Sequence, residues 1–389
     1  MSEVKGSNYG RPADSQRLIA EEIRAQIVAG KLPAGGRIPT RLDLERHYGA
    51  GSTTIQRALE VLSRDGFIES KGRNGTFVVE NPPHLTRYGI VFFASAQDFA
   101  RNNRYNFALS NQVRQLRHEQ PDLKIAEYFG VDGHEDSEDY QRLVREVRAH
   151  RVAGLIFSSN EFPLWGTPVL QEPGLPRIVI TPHRAGMTIP VVNLDTESFF
   201  VRALEDLRAE GRRRIAFLNP PLDLDWRARL APLMREFGME TRPFWWQTVS
   251  PQTPEAAQNA AHLLMRCEER PDALVIGNDN LLEYATAGLV ASGARVPEEL
   301  SVISHCNFPY PTPSALPVKR LGYDARRVLR TCIESIDRQR NGEPVPAVTN
   351  IPAEFEHELP SAPSHGRESR RNRVRRPLFH TTSIAGAQS

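Results

Sequence analysis

The sequence predicts two kinds of fold in succession, a small α+β domain at the N-terminus and then a two-lobed α/β domain built on parallel sheets. Three observations lead to this expectation. Residues 51–79 have the pattern of an amphipathic helix followed by a short hairpin. Beyond residue 88, short apolar runs alternate with helical patterns, which is typical of parallel sheets. The alternation occurs in two successive series, and a chain of 389 residues has room for about two or three domains.

Composition excludes several classes of protein. The formal net charge is only +2, so any nucleic-acid-binding surface must be local. Cys267, Cys306 and Cys332 are far apart in the sequence, which argues against a disulfide framework or a zinc site. The first residues lack the apolar core of a signal peptide, and there is no run of about eighteen apolar residues. We expect a cytoplasmic protein with no membrane partner, no metal and no other cofactor.

The first domain begins after an arm, residues 1–14, that we expect to be flexible. From Ser15 a helical stripe of apolar residues runs to Gly30, which ends the helix. A turn-rich connector follows, and Thr40 is placed to cap a second, short helix with Leu42 and Leu44 facing inward. The apolar residues of the first stripe are Leu18, Ile19, Ile23, Ile27 and Val28.

The third helix organises this domain. Small polar residues at 52–54 suit a helix N-terminus, and Ile55, Leu59 and Leu62 then recur at helical spacing. The opposite face carries polar side chains that can reach outward. Gly66 ends the helix, and a turn over residues 71–75 joins two short strands into a hairpin with a basic tip. This is the layout of a winged helix-turn-helix, in which the helix enters a major groove and the hairpin tip lies near the phosphates.

Residues 15–79 resemble the GntR-type winged helix. The resemblance rests on four segments: 27–30 with I-x-x-G, 32–40 ending in I-P-T, 53–68 with T-T-x-x-x-A-L, and 75–78 with G-T-F-V. The family usually carries arginines where this chain has Leu42, Ser52 and Gln56. The resemblance therefore implies an altered operator, richer in A·T where Gln56 reads a base. The implied DNA-binding residues, each alternatively a solvated surface group, are Arg41, Ser52, Thr53, Thr54, Gln56, Arg57, Lys71 and Arg73.

Residues 81–87 read as a linker, because two adjacent prolines disfavour both helix and central strand. The alternating strands and helices begin directly afterwards. Ligands of such folds bind at the carboxyl ends of the strands, in the crevice between lobes. The predicted strands are 88–94, 124–129, 152–157, 177–181, 190–195, 214–218, 243–249, 273–277 and 300–304, with helices including 253–268 and 280–292 between them.

This second part resembles the LacI-type regulatory core, which is similar to type I periplasmic sugar-binding proteins. The carrying motif is Asn278-Asp279 after a strand, then a helix with Gly288, then the segment 293–297 with G-x-x-V-P. The resemblance implies that Asp279 accepts hydrogen bonds from sugar hydroxyls and that Arg227 also binds sugar. Where the family has a carboxylate pair, this chain has Cys306 and Asn307, which leaves the type of ligand open. A buried filler is the simpler role for Cys306.

Other residues near strand ends are candidates for contact with the ligand. Aromatic rings suit the apolar faces of a sugar, although core packing is the alternative for each of them. These candidates are Trp165, Trp226, Trp245, Tyr105, Ser95, His183 and Asn307. We divide the chain into an arm (1–14), a DNA-binding domain (15–80), a linker (81–87), a ligand-binding domain (88–356) and a basic tail (357–389) that we expect to be disordered.

Three functions compete. The first is a transcriptional regulator, by family habit a repressor, which binds a palindromic operator as a homodimer and responds to a sugar or to another small effector. The second is a solute-binding protein, which the lobes alone would permit but the winged helix opposes. The third is an enzyme, for which no P-loop, nucleophile elbow or H-E-x-x-H motif is present and no catalytic residue is assigned. The sequence favours the first and leaves open whether the effector releases or promotes DNA binding.

Overall fold

The N-terminal domain is a helical unit closed by a two-stranded wing. A computed structural model describes residues 12–95, 103–134, 136–182, 186–221 and 225–360, with side chains from Ser15 onward. The first helix begins earlier than the predicted residue 15, at Pro12, because proline is well suited to the first turn of a helix. The elements are α1 (Pro12–Val28), α2 (Arg41–Tyr48), α3 (Ser52–Arg64), β1 (Ile68–Ser70) and β2 (Thr76–Val78).

The core of this domain is formed where α1 and α3 pack on each other and on the wing. Ile19, Ile55, Leu62 and Phe67 are fully buried there. In α2 the Thr40 hydroxyl accepts a hydrogen bond from the Asp43 amide, which confirms the predicted cap. The prediction that Leu42 faces inward is wrong, because its side chain is 55% exposed. A helix of eight residues buries one narrow face, and Leu44 and Tyr48 occupy it.

The linker contains a short helix, α4 (Pro83–Thr86), although its two adjacent prolines were expected to disfavour helix. Pro83 opens this helix, at the position where the missing amide hydrogen of proline costs nothing. The ring of His84 then stacks on Phe67 of the first domain, with centroids 5.7 Å apart and planes 9° apart. The two prolines thus start a helical turn here instead of preventing one.

Acidification is expected to weaken folding through His84. Burial of the ring, and then the charges of Arg340 and His150, lower the pKa of His84 from 6.5 to about 4. Between those values the unfolded chain binds more protons than the folded protein, so stability is highest above pH 6.5 and falls progressively toward pH 4. We expect a loss of about 2 kcal/mol, allowing for the partial exposure of the ring. Denaturant unfolding at pH 7 and pH 4.5 measures the loss, which should shrink in His84→Phe. An undiminished loss in that variant would contradict the assignment.

The second domain alternates strands with helices, as predicted. Its first half comprises β3 (Arg87–Val91), α5 (Arg104–Glu119), β4 (Lys124–Tyr128), α6 (Glu138–Arg148), β5 (Gly154–Phe157), α7 (Pro168–Gln171), β6 (Arg177–Ile180) and β7 (Val191–Asp195). Its second half comprises α8 (Thr196–Ala209), β8 (Ile215–Asn219), α9 (Trp226–Glu236), β9 (Trp246–Thr248), α10 (Ala256–Leu264), β10 (Ala273–Ile276), α11 (Leu282–Ser292), β11 (Ser301–Phe308), β12 (Lys319–Asp324), α12 (Ala325–Arg340), β13 (Val348–Pro352) and β14 (Glu354–Phe355).

These strands form two six-stranded sheets, one in each lobe. The first has the order β13-β7-β6-β5-β3-β4, and all of its pairs are parallel. The second has the order β14-β12-β11-β10-β8-β9, and it is parallel except at its β14 edge. Strands such as β10, buried at every residue, are covered on both faces, which explains their continuous apolar sequence.

The chain passes between the two sheets three times. It crosses after β7, again from β12 into α12 and β13, and finally from β13 to β14. The last crossing is held by α8, because the Ser198 hydroxyl accepts from the Ala353 amide at 2.9 Å and Arg202 donates to the Ala353 carbonyl at 2.8 Å. These three crossings form a hinge between the lobes. The space that remains between the two sheets is a cleft.

Three boundaries in the second lobe differ clearly from the prediction, and one of them is the end of β11, which runs to Phe308 instead of stopping at residue 304. The strand predicted at 243–249 is shortened to β9, because Pro243 opens a turn of 3₁₀ helix before it. The helix predicted at 253–268 covers only residues 256–264. The last three strands were not identified, because the apolar positions of β12, β13 and β14 are few and separated by polar residues.

Candidate DNA-binding face and effector cleft

Helix α3 presents a polar face to solvent. Ile55, Ala58 and Leu62 point into the core, so the exposed face carries Gln56 and Arg57. The helix begins at Ser52. Because its cap residue is Gly51, no side chain of the cap residue accepts a hydrogen bond from the first amides of the helix. These amides carry the positive end of the helix dipole, which attracts phosphate.

Gln56 lies at the centre of a small polar network on this face. Its Oε1 atom accepts from Arg41 Nη1 at 3.5 Å, and its Nε2 atom donates to Glu60 Oε1 at 3.1 Å. Arg41 is the first residue of α2, so two helices orient one amide. A glutamine held this way retains a free lone pair and a free amide hydrogen, the pair of groups that recognises adenine in the major groove.

The wing adds cationic groups beside this face. Lys71 lies 3.1 Å from Glu69 and 5.1 Å from the ring centroid of Phe77, while Arg73 is exposed at the tip. Arg37 is a residue that the sequence reading missed, although it lies one position before Ile38 in the connector. Its backbone forms an isolated antiparallel β-bridge with Phe77. Its guanidinium packs on Gly75, where a Cβ atom would lie 2.9 Å from Arg37 Nε.

A cavity lies between the two sheets at the carboxyl ends of their strands. Its volume is about 580 Å³, within the range of small-molecule sites. Both lobes supply its wall, which is rich in aromatic rings, amides and hydroxyls. The polar and aromatic lining residues include Phe93, Asn103, Tyr105, Asn106, Ser158, Thr181, Phe199, Phe200, Asn219, Asn278, Asp279, Asn280, His305, Asn307 and Tyr323.

Asp279 is the acidic group of this wall. It follows β10, is 1% exposed, and accepts a hydrogen bond from Asn307 Nδ2 at 2.9 Å. Its other oxygen, Oδ1, lies 3.6 Å from His305 Nδ1. The His305 ring is held between Phe199 and Tyr323, with ring centroids 5.8 Å and 5.5 Å away. The arrangement offers acceptors and donors on one side of the cavity and rings beside them.

Three buried polar atoms on this wall have no hydrogen-bond partner among the described residues. They are Tyr105 Oη, Asn219 Oδ1 and His305 Nδ1. Burial, and then Cys332, raise the pKa of Tyr105 well above its ordinary value, so its hydroxyl remains a donor. Unpaired buried polar atoms are costly, and a polar ligand is one means of satisfying them.

The lobes also touch at the mouth of the cleft. The Arg104 amide donates to Asn280 Oδ1 at 3.0 Å, and the Arg104 guanidinium lies 3.7 Å from Glu283. Residue 104 opens α5 in the first lobe, whereas 280 and 283 belong to the second. A ligand in the cavity would therefore contact both lobes and affect how they meet.

Comparison with known proteins assigns the two domains. Residues 16–78 match the family described as bacterial regulatory proteins, gntR family. Residues 204–355 match the periplasmic binding protein-like domain. The chain joins a GntR-type DNA-binding domain to a LacI-like ligand-binding domain. It is a DNA-binding transcriptional regulator.

Two known regulators and one solved structure are similar to large parts of this chain. The regulator is 22% identical over 336 residues to the arabinose metabolism transcriptional repressor of Geobacillus stearothermophilus, covering 82% of this chain and 92% of that protein. It is 23% identical over 270 residues to catabolite control protein A of Priestia megaterium, covering 66% and 74% of the two chains. The crystal structure of a LacI family transcriptional regulator from Arthrobacter sp. FB24 in complex with lactose has a TM-score of 0.54 at 19% identity, covering 69% of this chain and 97% of that one. At that identity the likeness shows the fold.

The regulator's predicted ligand residues separate into two groups. Tyr105, Asp279 and Asn307 line the cavity, as the sequence reading expected. His305 was missed, although it directly precedes the Cys306-Asn307 departure that drew attention to this strand. Asn219 ends β8, whereas Asn103 and Asn106 lie at the start of α5, and isolated amides at such positions give no sequence signal.

The other predicted ligand residues lie elsewhere. Trp245 is fully buried in the core of the second lobe, because it closes the turn before β9, and it must be removed from the ligand set. Trp226 and Arg227 border a separate cavity of about 190 Å³, and Trp165 is 65% exposed in the first lobe beside another. Ser95 lies beside Gly130 and is not part of the cavity wall. His183, the arm up to residue 11 and the tail from residue 361 lie outside the described residues.

Two features are absent from the residues of the regulator that the structure describes. None of its helices has both the length and the apolar character needed to cross a bilayer. Within those residues, no group of three or more His, Cys, Asp or Glu side chains is placed to hold a metal ion. Cys306 is buried at 1% exposure, and burial, followed by Asp279, raises the pKa of its thiol, so it fits the predicted role of filler.

Proposed function

We propose that this regulator is a cytoplasmic, sugar-responsive repressor that binds a palindromic operator as a homodimer. The observation that carries the sugar assignment is the wall of the cleft, where Asp279, Asn307 and several further amides stand beside aromatic rings. Hydroxyl groups donate to carboxylates and accept from amides, while the apolar faces of a sugar pack on rings. The relative from Geobacillus stearothermophilus, which is named for arabinose metabolism, supports the same class.

Control of the operator follows from the position of the cavity between the lobes. A ligand that binds one relative orientation of the lobes more tightly shifts the population toward it. In a homodimer with two winged helices, such a shift changes the separation of the two α3 helices, and with it the fit to two half-sites. Sedimentation of the purified protein with and without operator DNA tests the dimer.

A thermal-shift screen tests the effector. The purified chain is melted alone and with monosaccharides including arabinose, with disaccharides including lactose, and with nucleosides as controls. A ligand that binds only the folded state raises the melting temperature by mass action, so one class of sugar should give a concentration-dependent rise. A rise with nucleosides and none with sugars would replace the sugar by another effector class.

Gln56→Ala should change which base is preferred at one operator position. A bidentate amide–adenine contact accounts for about 1–3 kcal/mol of discrimination, so the preference for adenine at that position should fall by about tenfold or more. Selection of sites from a random duplex library by both proteins measures the change. Ser63→Ala, an exposed residue near the end of the same helix, is the matched control and should leave the preference unchanged. An unaltered preference in Gln56→Ala would show that Gln56 does not read a base.

A further inference from the structure

The linker helix α4 is attached to both of the domains that it joins. On the side of the DNA-binding domain, His84 stacks on Phe67, and Pro83 lies against Gly66. On the side of the ligand-binding domain, Arg340 Nη1 donates to the carbonyl of Leu85 at 2.7 Å. The joint is therefore a packed unit, because three consecutive linker residues each contact a folded domain.

Arg340, which donates this hydrogen bond to the linker, belongs to the last turn of α12. Arg340 also pairs with Asp337 at 3.1 Å, and Asp337 accepts a hydrogen bond from Tyr88 in the first strand after the linker. The opposite end of α12 begins at Ala325, two residues after Tyr323, which lines the cleft. A helix of 16 residues is about 24 Å long, so this one element reaches from the hinge beside the cleft to the linker.

A second contact joins the domains without the linker. Asp65, at the end of α3, accepts from Arg24 Nη2 at 2.7 Å within its own domain, and its Oδ1 atom lies 3.7 Å from Arg151 Nη1 of the ligand-binding domain. The side chains of Arg24 and Asp65 are 6% and 12% exposed, and that of Arg151 is 31% exposed, so the contact between the domains is partly shielded from water. A partly shielded ion pair is stronger and more directional than one on an open surface.

We infer that these two contacts, Arg340 with Leu85 and Arg151 with Asp65, form a clamp that couples the winged helix to the ligand-binding domain. The inference rests on the proposed function, since it describes how a change in the cleft reaches the operator. A flexible linker would not transmit the orientation of the first lobe to α3. The clamp fixes the end of the DNA-contacting helix to that lobe, so a rotation at the hinge reorients α3 by the same angle.

Coupling is reciprocal, so it can be measured from the DNA side without knowledge of the effector. The probe is a duplex that the full-length protein selects from a random library. Hydrogen exchange of residues 319–328, where β12 passes into α12 beside the cleft, is recorded with and without this duplex. In the wild type, DNA should change exchange there by about threefold or more. No change in a DNA-bound wild type would overturn the inference.

The variants are Arg340→Gln, which removes the charged donor to the Leu85 carbonyl together with the ion pair to Asp337, and Arg151→Gln, which removes the pair with Asp65; both leave the buried Arg24–Asp65 pair intact. Both should still bind the duplex, but the DNA-dependent change at residues 319–328 should be lost or reduced by at least about half. The matched control is Arg338→Gln on the same helix turn, where Arg338 pairs with exposed Glu343 at 3.6 Å. Variants that transmit the change as the wild type does would overturn the inference.

Failure of the proposed function has a different signature. If the library yields no duplex, the protein is not a sequence-specific DNA binder, and the clamp is then judged on exchange of linker residues 81–87 alone. Arg340→Gln should speed that exchange by about tenfold relative to Arg338→Gln, because one charged hydrogen bond is lost. Equal exchange in these two variants would overturn the clamp independently of any DNA.

Discussion

Asp279→Ala is expected to weaken binding of the sugar effector by about a hundredfold or more, and to leave operator binding intact. The carboxylate is 1% exposed and accepts from Asn307 Nδ2 at 2.9 Å. Its loss removes an acceptor for hydroxyls and also leaves the Asn307 amide unpaired inside the cavity. Each unpaired buried polar group costs about 1–3 kcal/mol, and the lost charged hydrogen bond adds about 1.5–3 kcal/mol. Titration of whichever sugar raises the melting temperature of the wild type measures the effect.

Two further variants make this test specific. Asp279→Asn retains one oxygen facing Asn307 but loses the charge, so its affinity should fall between those of wild type and alanine variant. Asp122→Ala removes the same charge from an exposed residue that is outside the cavity wall, and it should bind sugar normally. Normal sugar affinity in Asp279→Ala would remove this residue from the site and transfer the role to His305 and the neighbouring amides.

Gly288→Ala is expected to destabilise the second lobe by about 3 kcal/mol. A Cβ atom at this position would lie 2.1 Å from the carbonyl oxygen of Gln258, and 2.9 Å and 3.0 Å from two further backbone atoms of that residue. Helices α10 and α11 would have to separate, because backbone cannot rotate away as a flexible side chain can. Overpacking of this kind costs about 1–3 kcal/mol when side chains yield, and backbone contact places the cost at the upper end or above.

Thermal and urea unfolding of the full chain measure this loss. Val290→Ala is the matched control on the same helix, since its side chain is 52% exposed and its removal should cost within about 0.5 kcal/mol. A Gly288→Ala protein as stable as this control would mean that the two helices are less closely packed than 2.1 Å implies. The glycine of the sequence motif would then need an explanation other than close approach.

Regular patterns allowed most of the fold to be predicted from the sequence. Strands such as β10 are buried on both faces, so their apolar runs are continuous and easily recognised. The outward face of α3 followed from the spacing of its buried residues, and Gln56 was identified in this way. Asp279 was found because its motif combines a strand end with a characteristic following helix.

What the sequence could not supply depends on contacts between distant segments. A tryptophan next to a strand end has the same local pattern whether it lines a cleft or, like Trp245, fills a core. His305 acquires its place between Phe199 and Tyr323 only when three separate elements meet. The two prolines predicted that helix is disfavoured where α4 forms. The stacking of α4 on Phe67 and its hydrogen bond from Arg340 give this short helix a structural role.

The three crossings between the lobes also have a consequence for how the protein is made. Strand β13 completes one sheet and β14 the other, and both come from residues 348–355. Until the ribosome has released that segment, β7 and β12 are exposed edges, which are open to pairing with other chains. The two lobes therefore complete their sheets together, when residues 348–355 have emerged, although the winged helix emerges earlier and can fold ahead of them. A nonsense codon anywhere before residue 348 would leave both sheets unfinished at once.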